Sequence, residues 1–141
     1  MNLACSNFDD CLKDFEEKIE NGSIEENSIL DFGLQIDCLD WDSLLIVAPF
    51  MPIDEINEKI GLKIVEMNVD ESKYDLYFVK DKRLIKSSSV KRNLLDFSPI
   101  FANAEQKEGY LYLTKKNSIF KVAKTRGINN KIFYNLNLLK E

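Results

Sequence analysis

The chain has 141 residues, of which 45% are hydrophobic and 30% charged, and its formal net charge is −5. That length and balance fit one globular domain spanning 1–141 that buries a core without help from a metal, and they argue against a disordered chain. Histidine is absent, which removes the commonest general base and metal ligand and with them any Ser–His or Cys–His nucleophile pair.

The first predicted element is a helix over 8–20. Phe8, Leu12, Phe15 and Ile19 recur at helical spacing, Ser6 and Asn7 offer capping oxygens, and Asn21-Gly22 supplies a stop. A second short helix is expected over 24–32, because Ser23 and Glu26 fit a capping box and Gly33 can close it. Residues 34–42 then read as a connector with Leu34, Ile36 and Leu39 turned inward. The unbroken apolar run Leu44-Leu45-Ile46-Val47-Ala48 predicts a strand over 43–47 covered on both faces, ended by Pro49. A helix over 52–60 follows, with proline at its start, Asp54 and Glu55 in its first turn, Lys59 near its end and Gly61 as terminator.

Beyond Gly61 the pattern turns to strands. Leu62 to Met67 is a candidate. Tyr74–Val79 and Arg83–Val90 predict a hairpin about Lys80-Asp81-Lys82, and 94–101, broken by Pro99, reads as a loop or single turn on the core. Strands over 110–114 and 119–123 flank a turn at Lys115-Lys116-Asn117-Ser118, and Gly127-Ile128-Asn129-Asn130 turns into a last strand over 131–138. Helices first and strands later give an α+β fold, with N-terminal helices on a largely antiparallel sheet of about five to six strands.

The three cysteines, Cys5, Cys11 and Cys38, are odd in number and lack paired spacing. They read as small reduced side chains of a cytoplasmic protein. No run approaches a membrane span of about 18 apolar residues. Leu3-Ala4-Cys5-Ser6 lacks the basic and apolar flanks of a cleavage signal, so no targeting segment is expected.

The five glycines are too dispersed for a phosphate-cradling loop, and no zinc-ligand spacing is present. The expectation is therefore no cofactor, no metal and no catalytic residue. Carboxylates are the one remaining route to chemistry. Asp37, Asp40 and Asp42 cluster about Trp41, but with 24 acids in the chain such clusters arise by chance.

Charge is unevenly spread. Residues 1–75 hold 19 Asp/Glu and 5 Lys/Arg (5 − 19 = −14), and residues 76–141 hold 5 Asp/Glu and 14 Lys/Arg (14 − 5 = +9). Either the two halves neutralise one another, or an acidic surface meets a basic partner. The second alternative makes Glu25, Glu26, Asp37, Asp40, Trp41 and Asp42 the candidate partner-binding residues, with the tryptophan as hot spot if it is exposed and as core anchor if it is not. An RNA- or single-strand-binding module is the alternative function. Lys80, Lys82, Arg83, Lys86, Lys115, Lys116, Lys121, Lys124 and Arg126 interleave with Tyr74, Tyr77, Phe78, Tyr110, Tyr112 and Phe120, although the overall acidity opposes it.

The stretch Asp40-Trp41-Asp42-Ser43-Leu44-Leu45-Ile46-Val47-Ala48-Pro49-Phe50, with Ile56, Gly61 and the hairpin Asp75 to Ile85, resembles a pattern seen among immunity proteins of contact-dependent growth-inhibition and related polymorphic-toxin systems. It covers about a third of the chain, and its motifs are structural. The resemblance implies a cytoplasmic protein without enzymatic activity. Its partner would be the C-terminal domain of a cognate toxin, often a nuclease, rather than nucleic acid or membrane.

Overall fold

The apolar run at Leu44–Val47 organises the molecule. The computed structural model describes residues 3–64, 70–101, 109–127, 129 and 131–139, with side chains from Cys11 onward. Strand β2 (Ser43–Val47) lies between β3 (Lys73–Lys80) and β6 (Tyr110–Thr114), antiparallel to both. Successive side chains of a strand point to opposite faces. Leu44 and Ile46 accordingly enter the main core, while Leu45 and Val47 enter a second cluster behind the sheet.

β4 (Arg83–Lys91) completes this sheet in the order β4-β3-β2-β6. It forms the expected hairpin with β3 through Asp81 and Lys82, both with positive φ (49° and 66°). Such a pair of left-handed residues makes the two-residue turn whose twist matches that of the strands. A second four-stranded sheet runs β1-β7-β8-β5, comprising β1 (Ile29–Asp31), β7 (Ile119–Arg126), β8 (Ile132–Leu138) and β5 (Leu95–Asp96). Among the described strands only β5 and β8 pair in parallel. Phe120, Val122, Tyr134, Leu136 and Leu95 of this sheet join Leu44, Ile46, Leu76, Phe78 and Leu111 of the first in one core. The fold is α+β with largely antiparallel sheets, as the sequence implies, but the eight strands among the described residues are divided between two sheets rather than gathered in one.

Helices cover what the sheets leave open. α1 (Leu3–Glu20) puts Leu12, Phe15 and Ile19 into the main core, where the Phe15, Phe32, Phe120 and Phe97 rings meet edge to face in series at 5.1, 5.2 and 5.6 Å. It begins earlier than expected, so Ser6 and Asn7 lie within the helix rather than at its start. The stop falls where expected: Gly22 has φ 67°, and Asn21 N–H donates to the Glu17 carbonyl at 2.8 Å. α3 (Ile53–Ile60) packs Ile53 and Ile56 on the rear of the first sheet and ends at Gly61 with φ 76°. Asn57 then fastens the chain beyond the helix, its side chain bonding both N–H and C=O of Ile64.

Several further expectations fail. Residues 24–32 do not form a helix. Asn27 adopts φ 63° and donates to the Val122 carbonyl, β1 pairs with β7, and α2 (Phe32–Gln35) is a single turn capped by Asp31. Strand pairing over a buried face outweighs the local capping signal. Gly33 therefore lies within α2 instead of ending a helix, and Leu34 is 74% exposed while Ile36 and Leu39 are buried. The turn at 115–118 is not a hairpin: its 3-10 turn (Lys115–Asn117) carries the chain from one sheet to the other. Of the expected strand over 62–67, residues 62–64 form none, and the remainder lies outside the described residues.

The last concerns the cysteines. Cys11 of α1 and Cys38, beyond α2, are joined in a disulfide with Cα atoms 5.9 Å apart, within the usual range. Spacing could not reveal this, because the partners are brought together by the packing of α1 over α2. The side chain of Cys5 lies outside the described set.

Residues 94–101 contain β5 and one turn of helix, α4 (Ser98–Phe101). Phe97 and Ile100 are buried there.

Candidate functional site

The segment 36–42 carries four of the six partner-binding candidates, and it is built around Trp41. The indole is only 2% exposed, packs edge to face on Phe78 at 5.3 Å, and donates from Nε1 to the Ile36 carbonyl at 2.7 Å. That bond closes the loop on itself. The Lys115 ammonium lies over the ring at 5.3 Å, a cation–π contact. Trp41 is thus a core anchor and is removed from the set of contact residues, because a side chain this buried offers a partner nothing to touch.

Asp42 is also committed to the fold. Its carboxylate accepts the Asp81 N–H at 3.0 Å, and its backbone bonds Val79 and Lys115 on either side. The bond from the Asp81 amide holds the Asp42 carboxyl below its usual value, against slight burial and with help from Ser43, Lys80 and Lys82. Asp37 and Asp40 remain outward. The Asp40 side chain is 87% exposed and 3.5 Å from the Lys80 ammonium. The loop therefore presents Asp37 and Asp40 from a backbone fixed at both ends.

Glu25 and Glu26 are exposed but stand elsewhere. Their turn joins β7 through Asn27 and Val122, whereas the 36–42 loop meets the chain at Lys115 and, through Phe32, Ser118. Four strand residues from Ser118 to Val122 correspond to roughly 13 Å. The six candidates therefore do not form one cluster. Among the described residues no three His, Cys, Asp or Glu side chains converge to hold a metal ion.

The basic second half meets the acidic first half at several separate points. Lys80 faces Asp40, Lys82 donates to the Ile60 carbonyl at the C-terminus of α3, and Lys124 donates to the Gly22 carbonyl at the end of α1. Cations at helix C-termini oppose the negative dipole end. The aromatics that a nucleic-acid platform would need are largely internal. Tyr74, Tyr77, Phe78 and Phe120 are buried, and Tyr110 and Tyr112 pack against the cluster beneath α3.

A second polar constellation escaped the sequence reading. The Tyr74 hydroxyl donates to Asp96 Oδ1 at 2.5 Å and lies 3.1 Å from Ser98 Oγ, while Ser98 bonds the same oxygen through both its N–H and its hydroxyl. Burial pushes the Asp96 carboxyl up, but the bonds from Ser98 and Tyr74 outweigh it and leave it below its usual value. Burial, reinforced by Asp96, raises the Tyr74 phenol. Arg92 lies over the Tyr74 ring at 5.5 Å and donates to the Glu71 carbonyl. These groups border a shallow cavity of about 460 Å³ walled by Pro49, Phe50 and Phe101. Phe50 has φ 64° and is 56% exposed. The sequence carries no trace of this set, because Tyr74 lies in β3, Arg92 in the turn after β4 and Asp96 in β5.

Among the described residues no helix is long and apolar enough to cross a membrane. No family model, no curated protein and no solved structure matches the chain.

Proposed function

We propose that the chain is a non-catalytic binding protein that engages a basic protein partner. In line with the sequence resemblance, the partner would be the C-terminal domain of a cognate toxin, neutralised by occlusion in the cytoplasm. The observation that carries the proposal is the presentation of Asp37 and Asp40. Both project from a loop whose backbone is pinned by the buried Trp41 and by the bonds of Asp42. Fixing charges in advance lowers the ordering cost of association and favours electrostatic steering toward a positive surface. α3 adds exposed Asp54, Glu55 and Glu58.

The loop is tested by charge reversal. Asp37→Lys combined with Asp40→Lys weakens capture of the partner by roughly tenfold or more at low salt, with a smaller effect at high salt. The melting temperature stays near that of the parent, since neither side chain is buried. Unchanged affinity would move the interface away from this loop. The burial of Tyr74, Tyr77, Phe78 and Phe120 tells against the RNA-binding alternative, because a base can stack only on an exposed ring.

A further inference from the structure

α1 is fastened to the rest of the fold at two places. None of the strand pairings among the described residues involves it, and it reaches the core through Leu12, Phe15 and Ile19. Just past its C-terminal end the chain is tied to the second sheet. There Lys124 Nζ donates to the Gly22 carbonyl at 3.0 Å, and the Ile24 N–H donates to the Tyr134 hydroxyl at 3.1 Å. The other fastening is the Cys11–Cys38 bond, roughly 14 Å along the helix from Glu20.

Between these points the helix is lightly seated. Lys18 Nζ donates to Gln35 Oε1 and Ser88 Oγ donates to Glu16 Oε1, each at 3.2 Å. A cavity of about 380 Å³ runs along the seam, with Glu16 and Glu20 on the helix side and Ser89, Lys91 and Leu94 opposite. An element held by few buried groups opens locally ahead of the whole fold. The disulfide is what restrains the far end of this one. Both cysteines are half-buried at the rim of the core and not sealed within it, so a thiol can reach them.

We infer that the Cys11–Cys38 bond is a redox-operated clasp. A dithiol reductant opens it and lets α1 swing from the core about residues 21–24, a disulfide oxidant closes it again, and the two sheets stay folded in both states. In opening, a thiolate of the reductant attacks one sulfur of the bridge, forms a mixed disulfide and releases the other cysteine, which takes up a proton. The reductant's second thiolate then displaces the first cysteine and closes the reductant's own disulfide. Two electrons pass to the cysteine pair, and the reductant loses the same two. Release of α1 uncovers the Phe32 ring, which packs on Phe15 at 5.1 Å when the clasp is closed. Cys38 also adjoins Asp37, so the clasp ties the proposed binding loop to α1. That last consequence rests on the proposed function, whereas the clasp itself does not.

Hydrogen–deuterium exchange of the intact Cys5→Ser chain, in which this is the one remaining cysteine pair, tests the inference without any partner. Adding dithiothreitol to the native protein should raise the titratable thiols from none to two. Amides of residues 12–20 should then exchange faster by roughly tenfold or more relative to those of β2, β3 and β7, since opening the bridge frees one end of the helix. Replacing the reductant by oxidised glutathione should restore the original pattern. Cys38→Ser should exchange at the reduced rate with or without reductant. The parent chain, measured in both redox states, keeps the test intact should the serine variant fail to fold. Cysteines that react only once the sheets unfold, or no acceleration in α1, would overturn the inference. So would acceleration by the same factor in α1 and in the strands, which would make the bond a brake on unfolding as a whole.

Discussion

Trp41 illustrates how one side chain can serve a surface without belonging to it. Its indole is surrounded by Phe78, Lys115 and the Ile36 carbonyl, and the loop that carries Asp37 and Asp40 closes over it. Trp41→Ala should cost about 3–5 kcal/mol, read by urea denaturation, because it leaves a large cavity and an unpaired carbonyl. A loss near zero would mean the loop is held by something else. Tyr74 is the second residue of this kind. Tyr74→Phe removes a hydrogen bond to an ionised carboxylate and should cost about 1–3 kcal/mol at neutral pH. Asp96 has a folded value below its unfolded one, so its contribution is present above the unfolded value and is lost as pH falls through the folded value. The difference between parent and Tyr74→Phe should therefore shrink on acidification through the carboxylate range. A difference independent of pH would assign the cost to packing alone.

At the scale of elements, legibility followed the range of the interactions. β2 and the β3–β4 hairpin could be read because an apolar run and a strand-turn-strand pattern are local signals that the tertiary structure reinforces. α3 was legible for the same reason, down to its glycine stop. Gly61→Ala should cost about 1 kcal/mol through backbone strain alone, since a methyl group there meets nothing within 4 Å. The segment 24–32 was misread because its capping signal is genuine but weak, and its pairing partner β7 lies some 90 residues away, at Ile119–Lys121. The division into two sheets was illegible for a related reason: nothing local distinguishes a hairpin turn at 115–118 from a crossing between sheets. The disulfide is the extreme case, fixed only by the docking of α1. It spans a sequence separation of 27 residues, and Cys11→Ser should lower stability by about 3 kcal/mol through freeing of the unfolded chain. An equal loss on adding reductant to the parent, and none on adding it to the variant, would attribute the effect to the bridge.

For the molecule as a whole, the imbalance between −14 and +9 in the two halves has been partly resolved by contact. Lys80, Lys82 and Lys124 each meet acidic or carbonyl groups contributed by the first 60 residues. What remains outward at Asp37 and Asp40, two of the six residues singled out from the sequence, is the surface that the proposed function uses. The compartment is open to a separate test at this scale. A reducing cytoplasm would keep the Cys11–Cys38 pair as thiols. Alkylation of living cells before lysis should then label all three cysteines, whereas labelling of Cys5 alone would show a closed bridge in the cell and contradict a cytoplasmic site of action.

The most direct measurement is an affinity capture of the tagged protein from its source cells, at low and at high salt, with the bound material identified by mass spectrometry. A single basic protein in stoichiometric amount, retained by the parent and lost by the Asp37→Lys/Asp40→Lys variant at low salt, is the result expected. Nucleic acid that washes off with salt, or equal capture by parent and variant, would contradict the claim that this acidic loop is the binding surface.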